Sequence, residues 1–213
     1  MRIVFAGTPE VASDTLSALV SAGYEIPLVI TRPDAPVGRK RVLTPSPVAT
    51  MANSLAIPTL KTDRIDSEGI VAIRQAKPDV GVVVAFGALL KTDALAAAPF
   101  GWLNLHYSLL PRWRGAAPVQ RALLAGDKET GVTLFRLDVG MDTGPVFGRV
   151  QTLVEPGESA ADLLNRLSGL GISLLLQELP RIGAGLAFPE PQPIGDYPVA
   201  SKISRSDAEI DWR

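Results

Sequence analysis

The chain has one histidine among its 213 residues, and that histidine stands in an alternating stretch. From 104 to 118 the sequence reads NLHYSLLPRWRGAAP, which sets Asn104, His106 and Ser108 two residues apart. Successive side chains of an extended strand point to opposite faces. An amide, an imidazole and a hydroxyl therefore share one surface, with Leu103, Leu105 and Tyr107 on the other. Pro111 and Pro118 then force the chain out of any sheet. A lone histidine commonly does nothing more than complete a core. One at a strand's carboxyl end, beside an asparagine, is placed for chemistry. A further group comes from DVGMDTG (138–144), where Gly140 and Gly144 flank Asp142 and permit close approach of a ligand. Alone, Asp142 reads as a turn aspartate. Together, Asn104, His106 and Asp142 suit acyl-group transfer: two groups to stabilise an oxyanion and a carboxylate to take up a proton.

Composition narrows the classes. There is no cysteine, which excludes disulfides, thiolate catalysis and zinc–sulfur sites. With a single histidine, no metal site is expected. A net charge of −1 gives no overall basic footprint, so a nucleic-acid partner would have to meet a local patch. The balance of 46% hydrophobic and 20% charged residues is that of a globular protein with a good core. No run approaches the roughly 18 apolar residues that span a membrane, and MRIVFAGTPE lacks a signal peptide's cleavage region. A cytoplasmic protein with no membrane partner is expected.

The positioning elements follow from periodicity. RIVFAG (2–7) is an apolar run closed by glycine, as in a buried parallel strand. Thr8 is placed to N-cap a helix with Pro9 in its first position; Val11, Ala12, Leu16, Leu19 and Val20 recur at helical spacing, and Gly23 ends it. EIPLVIT (25–31) completes a βαβ unit. The stretch 31–47 holds four prolines and a glycine and reads as an irregular functional loop or a disordered one. Helices are expected over 48–56, 66–76 and 158–179, the last ending before Pro180. Strands are expected at IPTLK, at 79–87 (the most apolar, hence central), at 102–108, and at 131–138 and 145–154 around a hairpin or bulged turn. The fold class is α/β: an open, mostly parallel, Rossmann-like sheet with helices on both faces. Ligands bind such sheets at the carboxyl ends of the strands.

Two other motifs are weaker. AGTPE has one glycine where a dinucleotide fingerprint needs three, and no GxxxxGK[ST] occurs. In GRKR (38–41), Arg39, Lys40 and Arg41, with Arg32, face a single acid, Asp34. They form either a solvated loop or one that contacts phosphates.

These residues resemble the folate-dependent formyltransferases. The family's hallmark, Asn-x-His-x-Ser-x-Leu-Pro followed by a distant aspartate in a strand turn, is matched here by Asn104, His106, Ser108, Leu110, Pro111 and Asp142. Within the family the similarity is to the branch whose acceptor is initiator methionyl-tRNA. It is carried by VFAGTPE (4–10), TRPDAPVGRKRVLTPSPV (31–48), VVVAFGALL (82–90), SLLPRWRGAAPVQRALLAGDKETGVT (108–133), LDVGMDTG (137–144) and KISRSDAEIDW (202–212). Phe86 stands where some relatives have tyrosine.

The resemblance implies the formyltransferase fold and transfer of the formyl group of 10-formyltetrahydrofolate to the α-amino group of methionine on initiator tRNA. It implies catalytic roles for Asn104, His106 and Asp142. Folate would contact Phe86, Gly87, Leu89 and Leu90, Asp138, Val139 and Gly140, and Ser108, Leu109, Leu110 and Pro111. Core packing is an alternative for Leu89, Leu90 and Val139. Arg39, Lys40 and Arg41 would meet the tRNA. The resemblance further implies a catalytic domain over 1–190, and a linker over 191–213 toward a C-terminal β-barrel-like tRNA-binding domain absent from this chain. A monomer is expected. The same three residues would also serve a sugar-nucleotide amine N-formyltransferase or a formyltetrahydrofolate hydrolase domain. A non-catalytic nucleotide-binding module would explain the opening βαβ unit but not the three residues.

Overall fold

The computed structural model describes residues 1–210 and 212; of the expected linker, Asp211 and Arg213 lie outside the described residues. In chain order the strands are β1 (Arg2–Gly7), β2 (Glu25–Thr31), β3 (Ala35–Val37), β4 (Val42–Thr44), β5 (Thr59–Lys61) and β6 (Val80–Val84). There follow β7 (Trp102–His106), β8 (Arg114–Gly115), β9 (Glu129–Arg136), β10 (Val146–Leu153) and β11 (Val199–Ala200). The helices are α1 (Glu10–Ser21), α2 (Pro47–Ser54), α3 (Ser67–Ala76), α4 (Thr92–Leu95), α5 (Pro118–Leu124) and α6 (Ala160–Gly183).

Seven strands form one open sheet in the order β10-β9-β7-β6-β1-β2-β5. The five from β5 to β7 run parallel. β9 runs antiparallel to β7, and β10 antiparallel to β9. β6 takes the middle place because VGVVV is apolar on both faces, and all five of its residues are buried. Strand alternation divides the core in two. Ile3, Phe5, Val82 and Leu105 pack against α1, α5 and α6 through Leu16, Val119, Leu167 and Leu175. Val4, Ala6, Val83 and Trp102 face α3 and α4 through Ile73 and Ala94. Each large side chain fully withdrawn from water in these layers stabilises the fold by roughly 1.5–3 kcal/mol.

The structure departs from the sequence reading in several places. Thr8 does not cap α1: Pro9 takes the cap position without a side-chain bond, and the Thr8 hydroxyl donates to the Phe86 carbonyl at 3.0 Å, tying the end of β1 to the segment after β6. The stretch 31–47 is not irregular, since β3 and β4 pair as an antiparallel hairpin. Thr31 and Ser46 join at 2.7 Å at its base, and Ser46 also accepts from the Ala49 N–H to cap α2. All six strand residues of this hairpin are exposed, so no burial pattern marked it. α6 runs through Pro180 to Gly183, adding one turn in which the Ala184 N–H closes on the Pro180 carbonyl.

The segment expected to be a linker from 191 is packed against the fold, and beyond β11 Arg121 holds the Ser201 and Lys202 carbonyls and the Asp207 carboxylate. Glu190 bridges to Val146, and β11 pairs in parallel with β8. The Trp113 and Ala116 N–H groups donate to the Pro198 and Ala200 carbonyls at 2.8 and 2.7 Å.

Candidate active site

His106 ends β7 at the carboxyl edge of the parallel strands, opposite Thr133 of β9. The alternation read from sequence holds: Leu103, Leu105 and Tyr107 enter the core, while Asn104 and His106 line a cavity of about 440 Å³. Segments after β6 and after β9 form its walls, including Phe86, Gly87, Leu89, Leu90, Asp138, Val139, Gly140 and Met141. Leu89 and Val139 are 71% and 79% exposed, so they stand at the rim and are not core residues; Phe86 and Leu90 are buried. Asp138 stiffens its wall by accepting from the Gly140 N–H at 2.9 Å and the Thr143 hydroxyl at 2.7 Å. The Asn104 amide has no hydrogen-bond partner among the described residues, which leaves it available to a ligand.

The two nitrogens of His106 have different surroundings. Nε2 lies 2.7 Å from the Trp113 carbonyl, and a carbonyl only accepts, so Nε2 carries hydrogen. Nδ1 is left facing the Asp142 carboxylate, with Oδ2 at 3.7 Å and both side chains largely buried. That separation exceeds a hydrogen bond, and side-chain pairs in an empty site commonly tighten when a ligand binds.

A chain of contacts aims the Trp113 carbonyl. Trp113 adopts a left-handed φ of 64°. Its indole N–H donates to Asp127 at 2.7 Å, and Arg112 grips the same carboxylate through Nε and Nη2. Burial works against charge on Asp127, but the bonds from Arg112 and Trp113 prevail and hold its carboxyl below the usual carboxylate range. The Ser108 hydroxyl donates to the Arg112 carbonyl, and Thr133 donates to the Ser108 carbonyl while accepting from the Leu110 N–H.

Ser108, Leu109, Leu110 and Pro111 are not among the residues that line this cavity. Ser108 is fully buried with its hydroxyl spent on the loop, and Leu110 packs with Phe135 and Val146. Ser108 and Leu110 also shape the segment that delivers the Trp113 carbonyl.

Asp142, at φ 54°, accepts the Gly115 N–H on Oδ2 at 2.8 Å. Gly115 sits at φ 122°, and a Cβ there would lie 2.6 Å from the Ala200 carbonyl oxygen. Gly115 and Lys202 also line the cavity. Sequence reasoning missed Trp113, Gly115, Gln192 and Lys202. Only Gly115 left a signal, as a glycine directly after an Arg-Trp-Arg run.

Arg39, Lys40 and Arg41 occupy the exposed tip of the β3–β4 hairpin, with no ion-pair partner among the described residues. Asp34 does not offset them, because it pairs with Lys61 at 2.6 Å. The hairpin follows the carboxyl end of β2 and so rises from the sheet edge that holds His106.

This carboxyl-edge site on an open sheet is that of a one-carbon group transferase, and the chain belongs to the formyl transferase family, whose profile matches residues 1–179. It is 52% identical over its full length to methionyl-tRNA formyltransferase of Paenarthrobacter aurescens strain TC1 and 52% identical to that of Arthrobacter sp. strain FB24, covering 69% of each. Among solved structures, phosphoribosylglycinamide formyltransferase from Anaplasma phagocytophilum shares the fold. It superposes with a TM-score of 0.72 at 23% identity, over 87% of this chain and 88% of that one.

Proposed function

We infer that this chain transfers the formyl group of 10-formyltetrahydrofolate to the α-amino group of methionine on initiator tRNA. The observation that carries the reading is one cavity into which Asn104, the Nδ1 edge of His106 and Asp142 converge. Its apolar walls, with few polar groups, fit a flat heterocycle, and the unpartnered Asn104 amide fits a formyl oxygen. Phe86, Gly87, Leu90, Val139 and Gly140 would hold the folate, which supplies the formyl carbon when bound.

The incoming amine attacks that carbon, and negative charge grows on the formyl oxygen. Asn104 donates to this oxygen; a single such donor is typically worth about 10²–10³ in rate. With Nε2–H committed to Trp113, His106 works through Nδ1. Nδ1 takes the proton that the amine must lose, while the Asp142 carboxylate balances the imidazolium. Passing that proton to the departing nitrogen of the donor leaves the protein unchanged. The acceptor assignment rests on the tRNA-formylating relatives and on the free cations Arg39, Lys40 and Arg41, which are proposed to meet tRNA phosphates.

No helix among the described residues is long and apolar enough to cross a membrane. We propose a cytoplasmic monomer, which light scattering would report near 22.6 kDa.

The test is single-turnover formyl transfer by wild type and His106→Ala, offered methionylated initiator tRNA or, separately, an aminosugar nucleotide. Transfer to the tRNA that collapses in the variant supports the assignment. Transfer only to the sugar, or donor hydrolysis without acceptor, overturns the choice of substrate.

A further inference from the structure

Gln192 lines no part of the cavity, yet its side chain makes four hydrogen bonds around the catalytic carboxylate. Its Nε2 donates to the Asp142 carbonyl and to the Gly144 carbonyl, both at 2.8 Å. Its Oε1 accepts from Arg114 Nε at 3.0 Å and Nη2 at 2.6 Å. Two carbonyls on one end and a guanidinium on the other admit only one orientation of the amide. The residue is 8% exposed.

We propose that Gln192 is a positioning residue for formyl transfer, acting through Asp142; the proposal builds on the formyl-transfer reading. Arg114 precedes Gly115, the donor to Asp142 Oδ2, so one side chain secures both ends of the bond that aims the carboxylate at His106. Asp142 has a left-handed backbone, a conformation that persists only where its surroundings over-determine it. The two carbonyl contacts of Gln192 provide that constraint. Removing them frees the 138–144 loop to relax and carry the carboxylate away from Nδ1. Misplacement by about 1 Å costs up to about 10²-fold in rate, so kcat should fall about 10- to 100-fold. The donor's KM should stay within about threefold, since Gln192 does not itself line the cavity.

The test uses Gln192→Met, which removes all four bonds at similar volume, and Gln192→Glu, which keeps a partner for Arg114 but turns an acceptor toward two carbonyls. Thermal unfolding establishes that each variant is folded, and Gln192→Glu guards against simple loss of the fold. His106 is the sole histidine, so its Cε1–H correlation in an NMR spectrum is a single unambiguous reporter. Asp142→Asn supplies the reference for a lost carboxylate. The expected result is a His106 signal displaced in the direction seen for Asp142→Asn, with kcat reduced and donor KM held. A folded variant with an unmoved signal and kcat within twofold of wild type overturns the proposal. So does a donor KM that rises as much as kcat falls, which marks a merely structural role. If wild type fails to formylate methionyl-tRNA, the functional reading falls, and the His106 signal still decides whether Gln192 holds Asp142.

Discussion

Gly115→Ala places a methyl group where two short strands leave no room for one. At φ 122° an L-residue carries backbone strain of about 1–3 kcal/mol. The added Cβ would start 2.6 Å from the Ala200 carbonyl oxygen, and ordinary contact begins near 3.4 Å, so β8 must retreat from β11 by about 0.8 Å. That movement draws the Gly115 N–H away from Asp142 Oδ2, now at 2.8 Å, toward the limit of hydrogen bonding. A bond to a charged group contributes about 1.5–3 kcal/mol. Strain and the weakened bond together give a loss of about 3–5 kcal/mol. At about 2–4 °C per kcal/mol for a chain of this size, Tm should drop by about 6–20 °C. Because Asp142 loses its aim, kcat should fall about 10²-fold while the donor KM stays within about threefold. Thermal unfolding and single-turnover formylation of methionyl-tRNA measure the two effects separately. A Tm within 2 °C and kcat within twofold of wild type would refute the argument, because they would mean that neither the strand contact nor the Gly115 N–H constrains the carboxylate.

Other perturbations test other links. Thr133→Val preserves shape but strands the buried Ser108 carbonyl and Leu110 N–H, so urea unfolding should show a loss of about 2–4 kcal/mol; a loss under 1 kcal/mol would disprove the bridge. Burial raises the Tyr107 hydroxyl from 10.0 to about 12. Its folded-state pKa is the higher one, so its contribution is intact below pH 10 and is lost as pH climbs toward 12, by about 3 kcal/mol in all. Tyr107→Phe should abolish that alkaline decline in urea titrations; parallel declines in both proteins would contradict it. Replacing Arg39, Lys40 and Arg41 together by alanine should raise KM for tRNA and spare the donor. The log–log salt dependence of tRNA binding should become shallower by about 2, and an unchanged slope would remove the hairpin from the tRNA interface.

The layered sheet was legible because burial writes itself into sequence. VGVVV has to be central, and the alternation of Leu103, Leu105 and Tyr107 with Asn104 and His106 has to present the imidazole away from the core. Asp142 was legible from its flanking glycines. The hairpin formed by β3 and β4 was not, because six exposed residues give no hydrophobic period and its proline content argued for irregular chain. The inward turn of Ser108 was not legible, because a family motif tells which residues recur without telling which way they face; here its hydroxyl donates to the Arg112 carbonyl. Gln192 and the pairing of β8 with β11 left no trace, since two-residue strands joined by backbone bonds ask for no side-chain pattern.

The pairing of β8 with β11 also bears on when the molecule becomes competent during synthesis. Arg114 and Gln192 lie 78 residues apart in the chain, and β11 follows later still. A nascent chain that has emerged only as far as α6 already contains every strand of the large sheet, with Asn104 and His106 in place. It still lacks both the strand that seats Gly115 and the side chain that grips Asp142. The contacts that hold Asp142 are thus completed after the seven-stranded sheet has emerged, so a ribosome-bound intermediate can contain every strand of that sheet before Asp142 is secured.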